Sequence, residues 1–170
     1  MSEHPPKLFP PEARLGMVIG LIEVVAAAGG RAEIAQISRD LQTDIDQILP
    51  VVEAAEQLGL ITVEDGECIV TPLGQKLSNR RSSGKKQILR KEVAKIEPFA
   101  TAIKLSRELP EGFTAEEVAS YLSEKAGISL YAENVEKLHE LLVDWLLYAE
   151  LLEYNGDSKR FKARGTSSLT

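Results

Sequence analysis

DIDQILPVVEAAEQLGLITVEDGECIVTPLG, residues 44–74, contains the pattern of a helix, a hairpin and a return strand in one continuous run. Ile45, Ile48, Val52 and Ala55 recur at alternating spacings of three and four, which predicts one apolar face of an amphipathic helix. Gly59 ends that helix. Beyond it, Leu60-Ile61-Thr62-Val63 is rich in β-branched residues, Asp65-Gly66 accepts positive φ, and Cys68-Ile69-Val70-Thr71 resumes a strand pattern. A hairpin follows from this. Pro50 lies inside the helix, but the apolar period continues through it, so a kink or a late helix start accommodates it.

Upstream, Pro5, Pro6, Pro10 and Pro11 keep the first residues extended, so residues 1–11 read as a flexible arm. From Glu12 an apolar stripe of Leu15, Val18, Ile19, Ile22 and Val25-Ala26 predicts a helix that stops at Gly29-Gly30. Arg31 to Leu41 reads as a second, short helix with Ile34, Ile37 and Leu41 inward, and Thr43 or Asp44 can cap the third. Three helices followed by a β-ribbon outline a winged helix over residues 12–78.

Downstream, Thr71-Pro72-Leu73-Gly74 closes the hairpin and opens a further helix. Lys76, Arg80, Arg81, Lys85, Lys86, Arg90 and Lys91 then follow with no acidic residue among them, broken at Ser82-Ser83-Gly84. Leu89, Val93, Ile96, Ala100 and Ile103 continue as a connecting helix interrupted by Pro98, so 79–111 reads as a basic linker and helix. Residues 112–163 repeat the first unit in outline. Thr114-Ala115-Glu116-Glu117 has the form of a capping box, with Val118 and Leu122 inward behind it. Val135, Leu138, Leu142, Trp145, Ala149 and Leu152 then form an apolar face, and Asn155-Gly156 stands where Asp65-Gly66 stood. Residues 164–170 read as a disordered tail. The expected fold is therefore mainly α with small β-hairpins (α+β), in tandem winged-helix-like units joined by a helix.

The composition narrows the function. The 170 residues carry a net charge of −6 and only 5% aromatics, an acidic balance that disfavours a nucleic-acid partner. Cys68 is the sole cysteine, and with His4 and His139 it is too sparse for a structural zinc site, so neither a disulfide within the chain nor a metal is expected. No secretory leader pattern and no apolar run long enough to span a bilayer is found, which predicts a cytoplasmic protein without membrane insertion.

Several pieces of the chain resemble one family. Gly29-Gly30 with Ala32-Glu33, Leu49 to Glu56 with Leu58-Gly59, Thr71-Pro72-Leu73-Gly74, and Asp144-Trp145 with Tyr148-Ala149-Glu150-Leu151 and Tyr154 together resemble the C-terminal AAA-associated domain. That domain follows the ATPase module of nitrate-, sulfonate- and taurine-type ABC transporters. The resemblance covers Gly20 to about Phe161 and implies an accessory or regulatory appendage without catalytic residues. The ATPase module is not within this sequence, so the resemblance implies either a separate protein that regulates a partner in trans or a piece of a longer ATPase.

The residues offer little catalytic chemistry. Asn79 to Lys86 lacks the first glycine of a phosphate loop and places Lys86 where a magnesium-binding hydroxyl belongs, so no nucleotide cofactor is expected. Trp145, Tyr148 and Tyr154 have the spacing of core residues, with tyrosine hydroxyls reaching the surface, and His139 reads as a surface histidine without a nucleophilic partner. The third helix carries Asp44, Asp46, Glu53 and Glu56 and no cation, and its counterpart carries Glu133, Glu136, Glu140, Asp144 and Glu150 against Lys137. Phosphate repulsion opposes either one in a DNA groove. The expected function is a non-enzymatic protein-interaction module for an ABC transporter ATPase. The alternative is a winged-helix DNA-binding regulator relying on the basic segment, and a third reading is homodimerisation through the long helix from Glu133 to Leu152. Two sets of candidate contacts follow: Lys76, Arg80, Arg81, Lys85, Lys86, Arg90 and Lys91 for acidic partners or phosphates, and Glu53 and Glu56 for a protein.

Overall fold

The computed structural model describes residues 8–165. They form α1 (Leu15–Ala27), β1 (Arg31–Glu33), α2 (Ile34–Asp40), α3 (Ile45–Gln57), β2 (Ile61–Glu64) and β3 (Glu67–Val70), then α4 (Pro72–Asn79) and α5 (Ser82–Val93). The chain continues through α6 (Phe99–Glu108), α7 (Ala115–Ala126), α8 (Val135–Tyr148), β4 (Leu152–Asn155) and β5 (Arg160–Ala163). This is a mainly helical α+β chain in which all the strand pairing is antiparallel.

The hairpin expected between residues 60 and 71 is present. Glu64 pairs with Glu67, leaving a two-residue turn in which Asp65 and Gly66 have φ of 52° and 79°, the left-handed geometry such tight hairpins need. The sheet has a third strand that the sequence reading missed. Arg31–Glu33 was expected as the start of the second helix, but it pairs with β3 (Ala32 opposite Cys68), giving the order β1-β3-β2. Ala32 and Cys68 are both buried, and such a short strand shows no measurable alternation in sequence.

Thr71 joins the hairpin to α4. Its hydroxyl donates to the Gly59 carbonyl at 2.6 Å and accepts from Gly74 N at 3.0 Å, while Pro72 occupies the first turn, where no N–H is needed. A Cβ on Gly74 would lie 2.1 Å from the Leu60 carbonyl oxygen, so only glycine fits there. The break expected at Ser82-Ser83-Gly84 falls at Arg80-Arg81, and those three residues form the first turn of α5.

The expected connecting helix is two helices. α5 ends at Val93, and α6 restarts behind Pro98, packs on α7 and β5, and belongs with the second unit. Phe113 then bridges to Phe161 of β5 as β1 does to β3. α6, Phe113, α7, α8, β4 and β5 thus repeat the order of α1, β1, α2, α3, β2 and β3. The capping box is formed: Thr114 N donates to Glu117 Oε1 at 2.8 Å and Glu117 N to Thr114 Oγ1 at 3.3 Å. Asn155-Gly156 does not form a two-residue turn. Asn155 pairs with Arg160, and its Oδ1 accepts from Asp157 N and Ser158 N, so the loop spans residues 156–159 with the left-handed residue at Lys159.

One hydrophobic cluster runs from Phe9 to Phe161 and takes residues from both halves. Its centre contains Phe9, whose ring meets Phe99 and Trp145 edge-on at centroid separations of 5.1 and 5.3 Å. The expected arm over 1–11 is corrected at its end, because Phe9, Pro10 and Pro11 are buried. Prolines that block a helix hold this stretch extended, and an extended stretch can lay Phe9 into the second half. Residues 1–7 of that arm lie outside the described residues. Of the tail over 164–170, Arg164 and Gly165 are described, Gly165 N donates to Glu153 at 3.0 Å, and the rest lies outside them.

Candidate interaction site

α3 presents its outer face to solvent. Ile48, Val52 and Ala55 point inward as expected, but Ile45 does not: it is 45% exposed, and Leu49 one turn later is 47% exposed. The N-terminal turn of α3 extends past the core, so the apolar period overshoots the buried face. Among the described residues these two are the exposed large hydrophobics, and leaving each half in water forfeits roughly 1 kcal/mol of burial. Asp44 and Asp46 are exposed beside them, and Glu53 and Glu56, the predicted protein-contact pair, are half-buried further along the same side. Pro50 stays inside an uninterrupted helix. It lines a groove of about 410 Å³ with Glu12, Arg14, Met17, Thr43, Asp46, Gln47 and Val51.

The seven predicted basic residues divide into two groups. Lys85 donates to the Arg80 carbonyl at 2.5 Å and lies 3.8 Å from Glu23 of α1. Lys86 lies 3.3 Å from Glu150 and 5.5 Å from the centre of the Tyr148 ring, while Arg90 donates to the Glu150 carbonyl at 2.9 Å. Cations thus meet the C-terminal end of α8, where the helix dipole favours them. Burial pushes the Tyr148 hydroxyl pKa up, and the nearby Lys86 charge opposes that. Lys76, Arg80 and Lys91 instead line a shallow cleft of about 220 Å³ between α4 and α5, with Glu92 at its side; Arg81, the N-cap of α5, is exposed.

Trp145 is fully buried, as its spacing predicted, and Tyr148 and Tyr154 are half-buried. His139 is not a simple surface residue. Tyr154 OH and His139 Nε2 are 3.0 Å apart, and the imidazole packs against the Tyr154 and Phe161 rings at 5.4 and 5.8 Å.

Sequence reasoning missed the contact of the N-terminal segment with α8 and with Tyr131 just before it. Trp145 Nε1 donates to the Ala13 carbonyl at 2.8 Å, Tyr131 OH donates to the Phe9 carbonyl at 2.7 Å, and Leu15 N donates to Asp144 Oδ2 at 2.7 Å. Burial, with Glu97 and Glu53 adding to it, raises the Tyr131 pKa strongly. Asp144 and Trp145, adjacent on α8, both clamp this segment.

Among the described residues no His, Cys, Asp and Glu cluster could hold a metal, and no helix is long and apolar enough to cross a membrane. The family model for the C-terminal AAA-associated domain matches residues 35–155, and the chain belongs to that family. Membership associates it with an ATPase. No curated protein and no solved structure matches the chain.

Proposed function

We propose that this chain is a non-catalytic regulatory module of the cytoplasm that acts by protein contact on an ABC transporter ATPase of the nitrate, sulfonate or taurine type. The outer face of α3 carries the reading. In a DNA-binding relative of this arrangement that face would enter the major groove with Arg, Lys, Asn or Gln toward base edges. Here it offers Ile45, Leu49, Asp46 and Glu53, a combination suited to a protein surface and opposed by phosphates. Family membership supplies the ATPase as the class of partner.

A tagged pull-down from native extract, with and without nuclease, tests this. Recovery of an ABC transporter ATPase that survives nuclease is the expected result. Recovery of DNA, with proteins lost on nuclease treatment, would replace it with the DNA-binding regulator.

A further inference from the structure

We infer that the outer face of α3 is the seat of an amphipathic helix of the partner ATPase, one whose apolar stripe is bordered by lysines and arginines. This inference rests on the ATPase-directed function proposed above. Ile45 and Leu49 are separated by one helical turn, so together they present an apolar strip along the helix, the shape another helix's i, i+4 stripe covers. Asp46 and Glu53 flank that strip on one side, and α3 has no lysine or arginine anywhere along its length. Charge complementarity therefore selects a basic helix and repels an acidic one. The neighbouring groove of about 410 Å³, lined in part by Met17, Pro50 and Val51 with Asp46 at its edge, has room for a side chain of the incoming helix. Two cations close to this face are already engaged: Arg14 lies 3.5 Å from Asp144, and Lys137 lies 3.4 Å from Glu12.

Two measurements test this. In the first, the full chain is titrated with synthetic amphipathic helices, one of leucine and lysine and one of leucine and glutamate, and amide shifts are followed. The leucine–lysine peptide should move resonances of residues 45–53, the double variant Ile45→Lys/Leu49→Lys should weaken it about tenfold or more, and Asp46→Lys/Glu53→Lys should transfer preference to the leucine–glutamate peptide. Ile45, Leu49 and Asp46 are exposed and Glu53 is half-buried, and an unchanged thermal transition for each variant verifies that the fold is intact. Shifts centred on the α4–α5 cleft or on α8 would overturn the inference. In the second, wild-type and Ile45→Lys/Leu49→Lys chains are compared in the native pull-down, with the ATPase identified by mass spectrometry. Loss of the ATPase with the variant supports the inference. Equal recovery by both chains overturns it while leaving the proposed function standing; a wild-type chain that recovers no ATPase overturns both. A wild-type dimer by sedimentation that the double variant splits would assign the face to a second copy and overturn the inference.

Discussion

Asp144 Oδ2 accepts a hydrogen bond at 2.7 Å from the backbone N–H of Leu15, a residue 129 positions earlier. Leu15 opens α1, whose first turn holds no acidic residue and whose own N-cap, Arg14, makes no capping hydrogen bond with its side chain. A carboxylate on α8 thus does the work of a local cap, meeting one orphan N–H and the positive end of the helix dipole. With Trp145 on the Ala13 carbonyl and Tyr131 on the Phe9 carbonyl, it fixes residues 9–15 against the second half. The two halves are joined through this segment as well as through α5.

Replacing the carboxylate should uncouple that joint. Asp144→Ala is expected to cost about 1–2 kcal/mol, the range for a lost cap or a hydrogen bond to a charged group. Asp144→Asn, which retains an acceptor, should cost less. Urea unfolding gives the magnitude, and amide exchange at residues 9–18 should quicken before that of β2 and β3.

Gly74 offers a steric test of the first unit. A methyl group there meets the Leu60 carbonyl oxygen at 2.1 Å and Val70 Cγ1 at 3.0 Å, and backbone cannot yield as a side-chain tip can. Gly74→Ala should cost about 3 kcal/mol or more. Ala substituted at Gly16, where nothing lies within 4 Å, is the matched control and should leave the thermal transition unchanged or slightly raised.

The residues that gave the fold away were those whose local chemistry has a single outcome. Asp65-Gly66 could only turn, Thr71-Pro72 could only start a helix, and Thr114 with Glu117 could only cap one. The errors came where tertiary contacts decide. β1 is a strand because Arg31–Glu33 lies against β3, and Ile45 is exposed because the core ends below it; neither fact leaves a periodic trace. Residue 150 shows the same limit within the repeat itself. The first unit turns from helix to strand through Gly59 at φ 77°, whereas the second uses Glu150 at φ 57°, a strained choice for a residue with a side chain. Lys86 and Arg90 hold Glu150 there, and their spacing alone had read only as part of a basic run.

Those contacts divide the basic segment in a way that stability can read. Arg90→Ala removes the donor to the Glu150 carbonyl and should cost about 1 kcal/mol, with Lys86→Ala costing less because its ion pair is partly exposed. The triple variant Lys76→Ala/Arg80→Ala/Lys91→Ala should leave the urea midpoint almost unchanged, since these side chains line an open cleft. A large destabilisation by the triple variant would show that the cleft is a packed joint of α4 and α5.

Cys68 makes the fold sensitive to alkali. The thiol is buried in β3, and burial with the charge of Glu56 pushes its pKa up from 9.0 to about 11. Between those values the unfolded chain releases a proton that the folded chain keeps, so the unfolded state binds fewer protons and stability falls as pH rises. Below pH 9.0 both states hold the proton and this contribution is flat. The slope in the window is at most about 1.4 kcal/mol per pH unit. Lysines and tyrosines titrate in the same range, so the quantity to measure is the difference in urea stability between wild type and Cys68→Ala at about pH 8 and about pH 10. Wild type should lose stability relative to the variant on going to the higher pH. A difference independent of pH would mean that the thiol is ionised as readily in the folded chain as in the unfolded one, and such a thiol would also react with an alkylating reagent without prior unfolding.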